Sequence, residues 1–274
     1  MSMPLVSVII PTYKRPTLLV RAIKSVIQQT YKNIEIIIVD DESKDSTKGV
    51  VEQLQKYSPH INIIYLSNKT SRGACFSRNK AINFANGEFI TGLDDDDEFN
   101  SNRIEILLKE YDDRFAFICS DILVQKKDAV KILKSKDIIT FSDLLWTNIV
   151  GSQVLVRRER LLEHLYDETL ISAQDYDLWL RLVKEYGNAK RISIPLYIQH
   201  TEHDSPRISG SKERVKGYFM VYLKFKQYMS IQQKIYNLIR FRRIQKKKIS
   251  FKMLFYLFPN YYFFQQAYRI IFKK

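Results

Sequence analysis

Cysteine is nearly missing from this 274-residue sequence. The only two, Cys75 and Cys119, have no C-x-x-C spacing and no histidine close by, so both are expected as reduced core thiols rather than as a disulfide or a metal site. Long apolar runs are missing too. No uninterrupted stretch reaches the roughly 18 residues that a spanning helix needs, and no N-terminal apolar segment with a cleavage site is present, so a cytosolic chain is expected. The eight glycines form no phosphate-cradling loop: no G-x-G-x-x-G follows the first strand, and no G-x-x-x-x-G-K-[ST] occurs anywhere. That argues against dinucleotide dehydrogenases and P-loop enzymes, and leaves any bound phosphate to be neutralised by metal and basic side chains. The last shortage is of acids in the tail. Residues 207–274 hold 17 of the 44 Lys and Arg but only one of the 30 acids, Glu213. The net charge of +14 therefore belongs to the tail, and a nucleic-acid partner is not read from it.

What is present begins with an alternation. Residues 6–10, VSVII, form a β-branched run stopped by Pro11, and after Pro16 the spacing of Leu18, Leu19, Ala22, Ile23, Val26 and Ile27 is helical. A second strand over 34–39 ends in Asp40, Asp41, Glu42 and Ser43, and a helix over 46–56 follows with Ser43 or Asp45 as its cap. A third strand over 61–66, a turn at Gly73 and a helix over 74–85 lead to a fourth strand within 87–99, GEFITGLDDDDEF. This βαβαβαβ order predicts a doubly wound, mostly parallel sheet of α/β class, which collects its ligand at the carboxyl ends of its strands. Beyond Asn100 the pattern is mixed: a helix over 103–111, strands over 116–120, 122–125, 131–133 and 154–156, and a helical run within 172–183, SAQDYDLWLRLV.

Three strand ends carry chemistry: Thr12 with Tyr13, Asp40 with Asp41, and Asp94 to Asp97. Four adjacent carboxylates repel one another unless they share a cation, so the economical reading of the last is a site for Mg²⁺ or Mn²⁺; a solvated acidic turn is the bland alternative. Asp175 and Asp177 precede a helix, where acids in a first turn also serve as caps. His200 and His203, in QHTEHDS, read as a surface loop or a lid contact. Arg72 and Arg78 read as a solvated helix end or as phosphate contacts, outside the catalytic set.

Three blocks in this order, residues 6–47, 73–99 and SAQDYDLWLRL, resemble the GT-A glycosyltransferases of family 2 over about the first 200 residues. The resemblance implies a GT-A fold with a catalytic domain over 1–206, its nucleotide-binding half at 1–99 and its acceptor-side half at 100–206. Thr12 and Asp41 would then touch the nucleotide base with Asp40 beside them. Asp94 would hold ribose or metal as the first acid of a DxD-like motif, with Asp95 in the variable middle position of the donor site and Asp96 as metal ligand. Family members usually carry a Glu-Asp pair whose Asp is the catalytic base; here the pair is Gln174-Asp175, so Asp175 is the candidate base. The implied activity is inverting transfer of a hexose or N-acetylhexosamine from a nucleotide sugar, UDP-linked, with Mn²⁺ or Mg²⁺. The implied acceptor is a glycan or polyprenyl-linked glycan of a surface polysaccharide.

The chemistry asks for these groups independently of the family. A leaving diphosphate is stabilised by a divalent cation, and an acceptor hydroxyl loses its proton to one carboxylate as it attacks. The tail over 207–274 reads as basic helices, with Lys246, Lys247 and Lys248 preceding an aromatic segment at 251–274 that Pro259 interrupts. Such a segment suits an anionic membrane interface and a peripheral place at the cytoplasmic face, or else a helical subdomain packed on the core. A nucleotidyltransferase and a non-catalytic nucleotide-sugar or glycan-binding protein stay open as other functions.

Overall fold

The computed structural model describes residues 3–127, 129–201 and 214–245. Its first half follows the hydrophobic pattern closely: β1 (Val6–Thr12), α1 (Pro16–Ile27), β2 (Ile34–Asp40), α2 (Thr47–Tyr57), β3 (Asn62–Ser67), α3 (Gly73–Phe84) and β4 (Phe89–Gly92). All seven residues of β2 are buried, as a strand covered on both faces requires. After β4 come β5 (Glu98–Phe99), α4 (Arg103–Lys109), β6 (Ile118–Lys126), β7 (Ala129–Leu133), β8 (Ile138–Ile139) and α5 (Phe141–Leu144). The chain continues through β9 (Leu155–Arg157), α6 (Arg158–Glu163), α7 (Gln174–Tyr186), β10 (Ala189–His200), α8 (Arg214–Phe225) and α9 (Ile231–Ile244).

The strands form one sheet in the order β3-β2-β1-β4-β9-β6-β10-β5, with β7 on β6 and β8 on β10. β3, β2, β1 and β4 are mutually parallel; β9 is antiparallel to both β4 and β6, so β6 and its parallel partner β10 again point the way β4 does. Two cores follow from the period of two along each strand. Ile9, Ile37 and Val39 face a core with Ile82, Trp179, Leu182 and Val221, under α3, α7 and α8. Val8, Ile10, Ile36 and Ile38 face the opposite core with Leu19, Ile23, Val51 and Ile104, under α1, α2 and α4.

Two sequence expectations change. The separate strands expected at 116–120 and 122–125 are one strand, β6, because Asp121 stays buried within it beside Arg191 at 3.4 Å. The long β10 was not expected at all. Lys190, Arg191, Ser193 and Pro195 break its alternation, and its register on β6 slips on both sides of Pro195.

Part of the basic tail is packed into the molecule. Val221, Phe225 and Met229 belong to the same core as Trp179, Trp146 meets Tyr236 edge-on at 5.6 Å, and Asn237 Nδ2 donates to the Leu145 carbonyl at 3.1 Å. Lys246, Lys247, Lys248 and the aromatic segment 251–274, on which the interface reading rests, lie outside the described residues. Close approach of α8 to the loop before α7 depends on Gly217, where a Cβ would fall 2.1 Å from the backbone oxygen of Ser172. Gly217→Ala is therefore expected to lower stability by about 1–3 kcal/mol, read from urea unfolding. Wild-type stability in that variant would show that α8 is not seated on Ser172.

Candidate active site

The acid run leaves β4 at the sheet's carboxyl edge, and each carboxylate meets a different set of donors. Asp94 Oδ1 accepts from Arg78 Nη2 at 2.9 Å and from Gln153 Nε2 at 3.0 Å. Gln153 reaches across the strand because residue 92 is glycine: a Cβ there would stand 1.9 Å from Gln153 Oε1. Asp95 accepts from Thr12 Oγ1 at 2.8 Å and from Arg15 Nη1 at 3.1 Å, and burial raises its pKa to about 6. Asp96 Oδ2 lies 3.4 Å from Arg15 Nη1, and its carbonyl accepts from Arg21 Nη2 at 2.5 Å. Asp97 accepts from the Tyr197 hydroxyl at 2.8 Å and the His200 backbone N–H at 2.9 Å; burial, then Asp94 and Asp96, push its pKa well up.

The start of α7 closes the site from the other side. Arg78 sits on the buried face of α3 and bridges the two, with Nη2 on Asp94 and Nη1 on the Gln174 side-chain oxygen at 3.0 Å. Burial works against its charge, but Asp175 and Asp94 outweigh it and keep the guanidinium protonated. Asp175 follows Gln174 in the first turn of α7, and its Oδ1 is shielded from solvent with no hydrogen-bond partner among the described residues. Burial raises the Asp175 pKa to about 7, with Arg78 opposing and Asp94 adding to the rise. Asp177 has a different part: it is buried between Arg181 and Lys224, each at 2.9 Å, and ties α7 to α8.

Asp40 and Asp41 spend their oxygens on the protein's own loops. Asp40 accepts from the Ser43 backbone N–H at 2.9 Å, from its hydroxyl, and from Tyr65 at 2.6 Å. Asp41 accepts from Asn68 Nδ2, Ser71 Oγ and the backbone N–H groups of Arg72 and Gly73, all within 2.9 Å. Burial alone would raise its pKa; those four hydrogen bonds outweigh it and hold the carboxyl below its ordinary value. Among the described residues the left-handed non-glycines are Lys14, Glu42, Lys44 and Ala173, and every one lies in a loop of this edge. Strain of that kind gathers where the surrounding structure fixes a working geometry.

The structure thus brings Thr12, Asp94, Asp95, Asp96 and Asp175 to one edge, with Asp40 and Asp41 shaping the neighbouring loops. It also corrects two assignments. Arg78 is no solvated helix end, and His200 is no surface loop: it ends β10, buried, with Nε2 2.6 Å from Glu98. His203 lies outside the described residues. Arg78 had a signal in the sequence, since its spacing to Cys75 and Ile82 puts it on the apolar stripe of α3. Gln153 and Tyr197 had none.

No group of three or more His, Cys, Asp or Glu among the described residues forms a cage for a metal ion. The donor set nevertheless fits a hard divalent cation. Asp94 Oδ2 has no protein partner among the described residues, and the buried acids beside it have raised pKa values that a cation would relieve.

Two carboxylates should carry opposite pH signatures in the unliganded protein. Asp41, depressed in the fold, contributes stability that is full above the unfolded value of about 3.9 and is lost as pH falls through its lower folded value. Asp41→Ala is expected to cost about 1–3 kcal/mol at neutral pH, a deficit that closes under acid. Asp175, raised in the fold, costs stability that grows as pH climbs from about 4 to about 7. Asp175→Asn should therefore melt above wild type at about pH 8, with the advantage shrinking toward about pH 4. Scanning calorimetry across that range checks both, and an Asp175→Asn protein melting below wild type at the upper end would contradict the buried charge.

Residues 7–171 match the sequence profile of Glycosyl transferase family 2. A protein of Escherichia coli (strain K12) named as a colanic acid biosynthesis glycosyl transferase, WcaA, is 38% identical over 261 residues, covering 92% of either chain. The GalNAc(5)-diNAcBac-PP-undecaprenol beta-1,3-glucosyltransferase of Campylobacter jejuni is 32% identical over 222 residues, 79% of this chain and 71% of its own. Among solved structures, S. aureus TarS 1-349 in complex with UDP-GlcNAc superposes with a TM-score of 0.67 at 18% identity, covering 96% of this chain and 88% of that one. The mannosyltransferase PcManGT from Pyrobaculum calidifontis, in complex with GDP-Man and Mn²⁺, gives 0.59 at 15% identity, with 98% and 74% covered. At those identities the two structures are likenesses of fold. The profile spans more than half of the sequence and the E. coli relative nearly all of it: the chain belongs to glycosyl transferase family 2 and is a glycosyltransferase of GT-A fold.

Proposed function

We propose that the protein is an inverting, metal-dependent glycosyltransferase that moves a sugar from a UDP-sugar to a polyprenyl-linked glycan during surface-polysaccharide assembly. One observation carries the mechanism: Arg78, buried, holds Asp94 of the acid run and Gln174 of α7, so that Asp175 faces the acid run across a single guanidinium. Asp94 and Asp96 would hold Mn²⁺ or Mg²⁺, whose chemistry when bound is to neutralise the leaving diphosphate. The loops shaped by Thr12, Asp40, Asp41 and Asp95 would receive the nucleotide.

Asp175 takes the proton of the acceptor hydroxyl. Its pKa of about 7 makes it a stronger base than an ordinary carboxylate while leaving much of it ionised near neutral pH. One base with no second carboxylate assigned as nucleophile gives a single displacement, and a single displacement inverts the anomeric carbon. The UDP donor is supported by the UDP-GlcNAc bound in the TarS complex, and the lipid-linked acceptor by the PP-undecaprenol glycan for which the C. jejuni relative is named. Residues 1–206 would carry the reaction, with the donor half at 1–99, and 207–274 would add the basic extension. No helix among the described residues is long and apolar enough to cross a membrane. Attachment at the cytoplasmic face of the cell membrane would therefore rest on peripheral contacts such as the segment 251–274.

Two substitutions separate the roles. Asp96→Ala is expected to abolish Mn²⁺-dependent protection by UDP-sugars against thermal unfolding, because a direct ligand of the cation is gone. Unchanged protection would remove Asp96 from the metal site. Asp175→Asn should keep donor affinity and lose about 10²–10⁴-fold in turnover. Weakened donor binding with near-normal turnover would make Asp175 a structural residue.

A further inference from the structure

The β6–β7 hairpin has no role in the site described above, yet it stands beside it. β6 points the same way as β4, so its far end emerges at the carboxyl edge, where Gln125 pairs with His200 and Lys126 with Ala129. All five residues of β7 are exposed, on both faces of the strand. Among them Val130, Ile132 and Leu133 leave 64%, 41% and 38% of their surfaces to solvent, an unusual placement for three branched aliphatics within four positions.

Charge accompanies these side chains. Residues 126–136 contain five lysines and one acid, Asp128. Lys136 is paired with Asp143, while Lys126, Lys127, Lys131 and Lys134 have no ion-pair partner among the described residues. Among the described residues nothing pairs with the outer edge of β7, but lysines along an open edge work against strand addition by a second copy. Exposed aliphatics interleaved with unpaired cations complement a surface that is anionic outside and hydrocarbon beneath.

We infer that the β6–β7 hairpin is a docking element for an anionic lipid bilayer, meeting it along the open edge of β7 so that Val130 and Ile132 on one face and Leu133 on the other reach the headgroup boundary, with Lys126, Lys127, Lys131 and Lys134 on lipid phosphates. The purpose of the contact rests on the proposed lipid-linked acceptor: a bilayer gripped at this edge brings the acceptor hydroxyl to the strand ends that carry Asp94 and the approach to Asp175. The contact itself rests only on the hairpin. It is separate from the segment 251–274 and gives the enzyme a second hold on the membrane, placed beside the reaction.

The test uses the full chain with Ile132→Cys, labelled by a polarity-sensitive thiol fluorophore. Cys75 and Cys119 are buried, and burial raises the Cys75 thiol pKa to about 12, so the label goes to position 132. Vesicles of phosphatidylcholine with phosphatidylglycerol should shift its emission to the blue and expose it to quenching by nitroxide-bearing lipids. Pure phosphatidylcholine should do neither. Lys131→Glu with Lys134→Glu should lower the partition onto anionic vesicles by roughly tenfold or more. A label that stays silent on protein that floats with the vesicles overturns the inference, as does failure to float. A blue shift with rising protein concentration and no lipid assigns the hairpin to a second copy and also overturns it. Sugar transfer by the same labelled protein to a short-chain, water-soluble acceptor keeps the two proposals apart: normal transfer with a silent label sinks the hairpin alone, and a responsive label without transfer sinks the proposed function alone.

Discussion

Repulsion among carboxylates gathered at one sheet edge is the constraint on which this structure turns. Two unit charges about 4 Å apart interact by about 4 kcal/mol at an effective dielectric near 20, so five neighbouring acids need counter-charge within the fold. Arg15 serves Asp95 and Asp96, while Asp97 relies on neutral donors and on a raised pKa. Arg78 serves Asp94 and Asp175 from a buried position whose desolvation works against its charge. The guanidinium and the acids justify one another's burial, and their mutual dependence fixes α3, β4 and α7 in one arrangement.

Several features of the fold make sense as supports for that arrangement. Gly92 opens the space through which Gln153 reaches Asp94, and the left-handed Ala173 turns the chain so that Gln174 and Asp175 open α7 toward the edge. Behind Ala173, Ser172 is pressed by Gly217 and donates from its hydroxyl to the Arg214 carbonyl at 3.0 Å. The first helix of the basic extension is therefore a buttress of the candidate base, and Lys224, reaching Asp177 from the same helix, reinforces it. Replacement of the family's usual acid by Gln174 gives Arg78 a neutral acceptor there, so its charge is shared between Asp94 and Asp175 alone.

The first half of the chain was legible because parallel strands buried on both faces leave unbroken β-branched runs, and the helices between them keep a clean amphipathic spacing. The acid run announced itself by composition. β10 was hidden because its paired charges and its bulge at Pro195 erase the alternation by which strands are recognised, and with it went the burial of His200 and Tyr197. Arg78 is written into the apolar stripe of α3 but is hidden there, because a charged residue on a helix more often faces water. Gln153 could not be found from sequence, since its contact with Asp94 depends on the packing of β9 against β4 and on a missing side chain at Gly92. In the tail, α8 joins the core and α9 packs against Leu145 and Trp146, which basic, aromatic composition does not reveal.

The proposed chemistry has Asp175 as sole base in a single displacement at an acid-bound cation. Nuclear magnetic resonance of the product formed from an α-linked UDP-sugar and a lipid-linked acceptor with Mn²⁺ tests it most directly, by reporting the anomeric configuration of the new bond. A β-linked sugar, formed with stoichiometric release of UDP, is the expected product. An α-linked product would contradict it.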